Sequence, residues 1–433
     1  MASTVETRPG YGQLLRTPGA WTFLLPGFLA RQPFAMLTIG IVLLIQHTTG
    51  SYGSAGAVAA FTGVSMALFA PQSGKLADRF GQRAVLLPGV LVHTASVSAL
   101  TALALADAPI WALFAAAVPT GASVPQIGPM VRARWAAVLG GGTSQAEGFG
   151  GGSPLMSTAA AFESVTDEFT FVVGPVLATA LCTGVHPAAG LIAEAALTLA
   201  GGLFFAAQSR TQPTVRPAAT AAEPHASALS IPGVRVLAVA FLGIGSVFGG
   251  MQVALTAFSE EIGNPGVNGL LYGIFAAGNM LAGIACGAIA WKSGPRRRMV
   301  LGYAGLTLAA SALWAVHSVA LLAGLGLLVG LCIAPALISG YTLVESLVPA
   351  SARTEAFTWL TGAVALGQAA AVTVAGQLTD EHGASAGFLV PLVGTVLALV
   401  TLVALRSRLS PPRATLTVAR GAVYRHRVAV GEM

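Results

Sequence analysis

The sequence predicts an all-α membrane protein with twelve transmembrane helices in two pseudo-symmetric six-helix bundles. Of its 433 residues, 55% are hydrophobic and only 9% are charged, whereas a soluble domain normally carries about 25% charged residues. Long apolar runs recur along the chain, and basic residues fall in every second gap between them. The 53 glycines and 24 prolines suit packed transmembrane helices, which tolerate kinks and use small residues for close approach. The composition excludes a large soluble core.

The apolar runs set the helix count. A spanning helix needs about 20 mostly apolar residues. The first run follows Arg8 and Arg16 and is too long for a signal-peptide core, so we expect it to remain as a helix. The ninth and tenth runs are separated only by His317 and Ser318. The predicted spans lie near 19–46, 53–73, 84–106, 108–131, 158–183, 188–208, 233–259, 267–291, 299–317, 319–346, 354–379 and 385–406.

The distribution of Lys and Arg predicts the orientation. The gaps at 47–52, 107, 184–187, 260–266, 318 and 380–384 contain neither residue. Every Lys and Arg except Arg31 lies in the opposite set of gaps or within three residues of it, including Arg132 and Arg134 in a predicted loop after the fourth span. By the positive-inside rule both termini are cytoplasmic. We therefore expect a multi-pass protein of the cell (inner or plasma) membrane, embedded in the lipid bilayer.

Four segments are predicted along the chain: an N-terminal six-helix bundle at 1–208, a cytoplasmic linker at 209–232, a C-terminal six-helix bundle at 233–407 and a basic cytoplasmic tail at 408–433. The linker is rich in Pro, Ala and Thr. The tail either contacts anionic lipid headgroups or only helps to orient the chain. Two bundles around a central path are an arrangement of transporters.

Several classes of protein have no support in the sequence. Cys182, Cys286 and Cys332 lie in apolar runs without metal-ligand spacing. The sequence has no P-loop, no HExxH motif and no nucleophile elbow, so we expect neither an enzyme nor a bound cofactor. The net charge of +6 is scattered over loops and tail, which argues against nucleic-acid binding. A monomer is expected.

A short charged turn between the second and third spans carries a family resemblance. It resembles the loop between helices two and three of the major facilitator superfamily, in which glycine, aspartate and basic residues recur at fixed spacing. The matching positions are Gly74, Asp78, Arg79, Gly81 and Arg83. Gln82 departs from the pattern, which has a base there. The resemblance implies a conformational gate that helps to close the cytoplasmic side in the outward-facing state. The basic residues alone are more typical of a solvated cytoplasmic loop that follows the positive-inside rule.

Charged residues inside the spans are the candidates for chemistry, because charges in a bilayer are costly and usually paired or functional. Arg31 lies halfway along the first span. Glu163, Asp167 and Glu168 lie in the fifth span, and the last two are roughly 14 Å from its predicted start. Desolvation and like charge favour protonation of one of these acids. The three acids, with Arg31 as a counter-charge, are therefore the predicted proton-coupling group, with Asp167 the first choice. The alternative is a static ion pair between Arg31 and a carboxylate, with Glu163 wetted at the cytoplasmic mouth.

Uncharged polar residues inside the spans are candidates for substrate binding: Gln126, Gln252, Asn279 and Gln368. Such residues more often form hydrogen bonds between helices. Glu194, in the sixth span, is expected to be a wetted or capped acid near the outer surface, without a role. Gly174-Pro175 partly resembles the glycine-proline motif of proton-coupled exporters in the superfamily.

These features together predict a secondary active transporter that exports a small hydrophobic or amphipathic compound in exchange for protons by alternating access. A transporter of a sugar or another polar metabolite is the alternative, and it would need a denser set of fixed hydrogen-bonding groups. A membrane-embedded sensor without transport activity is a further alternative. The sequence does not select the substrate.

Overall fold

The computed structural model describes residues 11–139, 154–213, 228–288, 293–348 and 353–409. The regular structure in these ranges is helical. Most of the predicted linker and most of the basic tail lie outside the described residues. The α-helices are α1 (Tyr11–Leu15), α2 (Ala20–Thr49), α3 (Tyr52–Phe80), α4 (Gln82–Leu105), α5 (Ile110–Ala122), α6 (Ile127–Leu139), α7 (Pro154–Gly184), α8 (Ala189–Ala207), α9 (Pro232–Glu261), α10 (Val267–Ala288), α11 (Pro295–Leu313), α12 (Val319–Leu347), α13 (Arg353–His382), α14 (Ala384–Gly387) and α15 (Leu389–Ala404).

Eleven helical segments in the described part of the chain are long and apolar enough to cross a membrane. They correspond to eleven of the predicted spans. The predicted ninth span, 299–317, corresponds to α11, which is not among the eleven. That helix is 19 residues long and starts with Pro295 followed by three arginines. A total of twelve spans therefore stays a prediction.

The fourth predicted span is longer than the sequence suggested, and it is interrupted. Helices α5 and α6 form one apolar segment, Ile110–Leu139, with a break at residues 123–126. Pro125 explains the break, because proline has no N–H and clashes with the preceding turn. The prediction that Arg132 and Arg134 lie in a loop is wrong, since both belong to α6.

The most buried helix of each half lies at its centre. In the first half (α1–α8) this helix is α2, and in the second half (α9–α15) it is α9. Helix α2 packs against α3, α7 and α8, and α9 packs against α13 and α15. Two helix pairs make most of the contact between the halves, α3 with α13 and α7 with α10. Residues on these four helices are therefore placed at the boundary.

Tight turns make successive helices run in opposite directions. Gly50 ends α2 in the left-handed region at φ 69°, which glycine adopts without strain. The Ser51 side chain then accepts a hydrogen bond from the Ser54 N–H and caps α3. Gly81, at φ 89°, makes the turn from α3 to α4. We call the end that carries the α3–α4 turn the base end, and the end that carries the α2–α3 turn the opposite end.

Candidate functional site

A cluster of charged side chains joins α2, α6 and α7. We call it the Arg31 cluster; its members are Arg31, Arg132, Trp135, Glu163 and Asp167. Arg31 is 5% exposed and Glu163 is fully buried. The Arg31 guanidinium pairs with Glu163 through Nη2 and with Asp167 Oδ1 through Nη1, the latter at 3.1 Å. The structure thus brings together three of the residues that the sequence predicts as the proton-coupling group. Glu163 is not wetted, contrary to the alternative considered from the sequence.

The other carboxylate oxygens of the cluster also have donors. Trp135 Nε1 donates to Glu163 Oε1 at 2.8 Å, and Arg132 Nη2 pairs with Asp167 Oδ2. Two guanidinium groups therefore face two carboxylates, and the cluster has no net charge when all four are ionised. Pairing and hydrogen bonding of this kind make charges tolerable inside a membrane protein.

Arg132 and Trp135 belong to the site but were not predicted from the sequence. Both residues follow residue 131, the predicted end of the fourth span. The Arg132 guanidinium and the Trp135 indole were therefore expected to lie outside the membrane. One signal could have identified them: they are three residues apart, a spacing that puts two side chains on the same face of a helix. That face contacts α7 in the structure, because both side chains bond to its acids.

Arg134 lies next to the cluster residues in sequence but has a different environment. It is fully buried, and its guanidinium lies 3.7 Å from the centroid of the Phe205 ring. Its Nε donates to Gln82 Oε1 at 2.9 Å, while Gln82 Nε2 donates to the Met130 carbonyl at 3.1 Å. Gln82, where the superfamily pattern has a base, therefore acts as a buried bridge between α4 and α6.

Glu168 makes a contact across the boundary between the halves. Asn279 Nδ2, on α10, donates to Glu168 Oε2 at 2.9 Å. Glu168 is partly exposed, and no ion pair with a basic side chain is found for it among the described residues. A predicted proton-coupling residue and a predicted substrate-binding residue are thus neighbours, one on each half.

A cavity of about 290 Å³ lies between α2 and α7, beside the Arg31 cluster. This volume is close to the lower end for ligand pockets. Most of its lining is aromatic or aliphatic, while Arg31 and Glu163 supply the charged part. Its walls are formed by Trp21, Leu24, Leu25, Phe28, Arg31, Val131, Phe162, Glu163, Val165, Thr166 and Phe169.

The remaining polar residues predicted to bind substrate do not line this cavity. Gln126 lies in the α5–α6 break, where its Nε2 donates to the Val124 carbonyl at 3.0 Å. Gln252 is buried in α9 at 3% exposure. Gln368 lies in α13, where its backbone approaches Gly245 of α9. The sequence did not identify the aromatic wall, since aromatic residues in a span are ordinary lipid-facing or packing residues.

The predicted gate residues lie at the base end. Gly74 and Arg79 belong to α3, Gly81 forms the turn, and Arg83 belongs to α4. Both arginines are exposed, and the Arg79 guanidinium lies 5.2 Å from the Phe80 ring centroid. The backbone of Asp78 is helical, but its side chain lies outside the described part of the structure.

At the opposite end the two halves are joined by polar contacts. Asp380, at the end of α13, accepts hydrogen bonds from Ser51 Oγ at 2.6 Å, Tyr52 N at 2.7 Å and Gly53 N at 2.8 Å. Gln46 Nε2, on α2, donates to Glu260 Oε2, on α9, at 2.9 Å. Asp380 thereby caps α3 from the other half of the molecule. A carboxylate at a helix N-terminus satisfies free N–H groups and interacts favourably with the helix dipole.

A second buried polar group lies away from the Arg31 cluster. His93 of α4 and Glu194 of α8 are 1% and 0% exposed, and His93 Nε2 is 2.8 Å from Glu194 Oε1. The expectation of a wetted Glu194 is wrong: its helix packs against α4, which buries the carboxylate against the imidazole. This pair was not predictable from the sequence, because the two residues are far apart along the chain.

Comparison with known proteins gives a consistent match. The chain matches the family model of the Major Facilitator Superfamily over residues 23–316 and over residues 237–430. No curated protein sequence is significantly similar to it. Similar solved structures include the nucleoside transporter NupG, which is 13% identical with a TM-score of 0.69 over 90% of this chain and 99% of that chain.

Two further structures have a similar fold. The POT family transporter PepTSo is 13% identical, with a TM-score of 0.69 over 90% of this chain and 98% of that chain. A bacterial homologue of the iron transporter ferroportin, in its inward-facing state, is 17% identical, with a TM-score of 0.67 over 90% of this chain and 98% of that chain. At these identities the similarity extends to the fold alone.

Proposed function

Because the chain belongs to the Major Facilitator Superfamily, we propose that it is a proton-coupled secondary transporter that exports a small hydrophobic or amphipathic compound by alternating access. Family membership identifies a multi-pass membrane transporter rather than an enzyme. The proton, the direction of transport and the class of substrate are the proposed parts. So are the twelve spans in two six-helix bundles and the cytoplasmic location of both termini.

The contact between Glu168 and Asn279 is the observation that carries the proposal. Protonating Asp167 would leave Arg31 and Arg132 with a single carboxylate between them, Glu163. Protonating Glu168 leaves every ion pair of the cluster intact, because its partner is an uncharged amide. The sequence favours Asp167 as the proton-exchanging group, but this charge count favours Glu168. Since Asn279 lies on the other half, a change in the charge of Glu168 acts directly on the boundary that must move during transport.

The composition of the cavity supports the proposed substrate class. Its walls are mainly Trp, Phe, Leu and Val, with a charged pair at one side. Such a lining suits a compound with an apolar body and few polar groups. The neighbouring structures include a nucleoside transporter, a POT family transporter and a bacterial homologue of the iron transporter ferroportin, so the fold does not select a substrate. The composition of the cavity lining is therefore a better basis for proposing a substrate class than the fold is.

Narrowing the cavity should weaken binding of an apolar compound. Leu25 lines the cavity and is 57% exposed, so a larger side chain there has room to enter it without disturbing the core. We expect Leu25→Trp to raise the KM for transport by about tenfold with little change in expression. Leu321→Trp, at an exposed position on α12, is the matched control. An unchanged KM in Leu25→Trp would place the substrate elsewhere.

Asp78 lies at the base end and Asp380 at the opposite end. Substitutions of these two acids should shift the populations of the inward- and outward-open states in contrary directions. Asp380 joins α13 to α3 at the opposite end, so we expect Asp380→Ala to favour opening there. The family resemblance gives Asp78 the corresponding role at the base end, so Asp78→Asn should favour opening at the base. Loss of a helix cap costs about 1 kcal/mol, enough to shift a balanced population about fivefold.

Spin labels at positions 47 and 377, both exposed near the opposite end, would measure these shifts by pulsed dipolar spectroscopy. Glu381→Ala, which removes an exposed acid next to Asp380, is the control. Shifts of the same sign in Asp380→Ala and Asp78→Asn, or no shift in either, would contradict the proposed gates.

The proposed function is tested in proteoliposomes. A pH-sensitive dye inside the vesicles reports proton movement when a panel of hydrophobic cations, neutral aromatic compounds and sugars is added. Proton movement with an apolar or amphipathic compound, together with its uptake against a gradient driven by an acidic lumen, would support export by proton exchange. Proton movement with sugars alone would favour the polar-metabolite alternative. If no compound moves protons or is itself transported, the sensor alternative is favoured.

A further inference from the structure

The pair formed by His93 and Glu194 lies outside the proposed coupling site and cavity, yet it contacts the break between α5 and α6, where Ser123 Oγ lies 3.5 Å from His93 Nδ1. It links three helices, since His93 is on α4, Glu194 is on α8, and the carbonyl of Thr120 on α5 is 2.9 Å from His93 Nδ1. Thr120, like the other two residues, is almost completely buried. Buried polar groups joined in this way usually fix one local structure.

Pro125 explains why the Thr120 carbonyl is available. In a continuous helix the Val124 N–H would bond to the Thr120 carbonyl and the residue at 125 would bond to Gly121. Pro125 has no N–H, and in the structure the Val124 N–H bonds to the Gly121 carbonyl at 3.3 Å. The Thr120 carbonyl thereby loses its helical donor. Leaving a buried carbonyl unpaired would be costly. The His93 imidazole replaces the missing N–H at 2.9 Å, and Ser123 Oγ makes a longer contact with the same carbonyl at 3.5 Å.

This contact also determines the protonation pattern of the pair. A carbonyl oxygen can only accept, so His93 Nδ1 must carry a hydrogen. His93 Nε2 and Glu194 Oε1 then share one proton at 2.8 Å. The pair has no net charge whichever atom holds that proton, which suits its burial. Thr198 Oγ1 also donates to Glu194 Oε1, at 3.2 Å.

Helix α6 connects the break to the proposed site. It begins at Ile127, directly after the break, and carries Arg132 and Trp135, which bond to Asp167 and Glu163. The direction of α6 depends on the backbone at residues 123–126. Contacts that hold this backbone in place therefore also determine the positions of the Arg132 and Trp135 side chains.

We infer that His93 and Glu194 are positioning residues, which hold the α5–α6 break through the Thr120 carbonyl and so place Arg132 and Trp135 against the acids of α7. His93 makes the bond to the break, and Glu194 orients its ring from α8. The part of this inference that concerns the cluster rests on the proposed function. The part that concerns the break does not.

The two nitrogens of His93 can be tested separately. An asparagine amide lies near the position of Nδ1 and can still donate to Thr120, whereas a glutamine amide lies near the position of Nε2 and can reach only Glu194. In a background with the three native cysteines replaced by alanine, Gln126→Cys reports on the break through its rate of labelling by N-ethylmaleimide. We expect His93→Asn to keep the parent rate and His93→Gln to change it about fivefold, as for the loss of one hydrogen bond.

His47→Cys, at the exposed end of α2, is the control and should label equally in all backgrounds. Glu194 provides a second pair of variants if a His93 variant does not fold. Glu194→Gln keeps a donor to Nε2 and should label like the parent at position 126. Glu194→Leu leaves the His93 imidazole without a partner at Nε2. In this variant the labelling rate at position 126 should match the rate in His93→Gln. Equal labelling in His93→Asn and His93→Gln, or in Glu194→Gln and Glu194→Leu, would overturn the inference.

Transport by the same variants, with Gln126 intact, separates this inference from the proposed function. His93→Asn should transport at the parent rate, and His93→Gln about fivefold more slowly. If labelling follows the expected pattern but the parent transports nothing, the proposed function fails and the positioning of the break stands. If the parent transports and labelling does not distinguish the variants, the inference fails and the proposed function stands.

Discussion

Glu168→Gln is expected to abolish proton-driven accumulation of substrate while leaving the protein folded. The amide has nearly the shape of the carboxyl group and can still accept the hydrogen bond from Asn279 Nδ2. It cannot exchange a proton, however, and coupling requires a group that does so during each cycle. Since Glu168 has no ion-pair partner among the described residues, removing its charge leaves the Arg31 cluster as it is. The measurement is uptake into proteoliposomes with and without a pH gradient.

The matched variant for this test is Asp167→Asn, one residue away on the same helix. Asp167 is paired with both Arg31 and Arg132, so its neutralisation leaves two guanidinium groups with one carboxylate. We expect Asp167→Asn to lose transport together with thermal stability, and Glu168→Gln to lose coupling alone. Glu381→Gln, an exposed acid, should retain both. Gradient-driven transport by Glu168→Gln would exclude Glu168 as the proton-coupling residue and leave Asp167 as the candidate.

The sequence predicts the architecture well because the relevant signals are local. Apolar length alone locates eleven helical segments that are long and apolar enough to cross a membrane, and the charged turn at Gly74 to Arg83 carries the family resemblance. The acids of the fifth span and Arg31 are identifiable because a charge inside an apolar run is unusual whatever its partner. Three of these four residues do meet in the structure.

The partners contributed by other helices could not be predicted in the same way. Arg132 followed the apparent end of an apolar run, and the positive-inside rule assigned it to a loop. The positive-inside rule describes an average over loops. It therefore gives no indication that α6 continues for two turns past residue 131. His93 and Glu194 are 101 positions apart, and only the packing of α4 on α8 brings them together. Pairings between helices depend on tertiary structure, which a single sequence does not display.

Glu163→Gln is expected to be the most destabilising of the single changes considered. Glu163 is fully buried, and its two oxygens bond to Arg31 and Trp135. Removing one member of a buried ion pair leaves an uncompensated charge and costs about 3–5 kcal/mol. In this cluster, Arg31 and Arg132 would then share Asp167 as their only carboxylate. Thermal unfolding in detergent would measure the loss, in a background with Cys286 and Cys332 replaced by alanine, so that a thiol-reactive dye reports exposure of buried Cys182 alone.

Removing both partners should cost much less than removing one. The double variant Arg31→Gln with Glu163→Gln leaves Arg132 and Asp167 as a complete pair, and neutral amides can hydrogen-bond to one another and to Trp135. We therefore expect the double variant to recover most of the stability lost in Glu163→Gln, so that the two substitutions are strongly non-additive. Additive losses would show that the two residues do not interact in the folded protein. If stability recovers but transport does not, the pair is needed for transport beyond its structural role, because the fold alone tolerates its replacement by neutral groups.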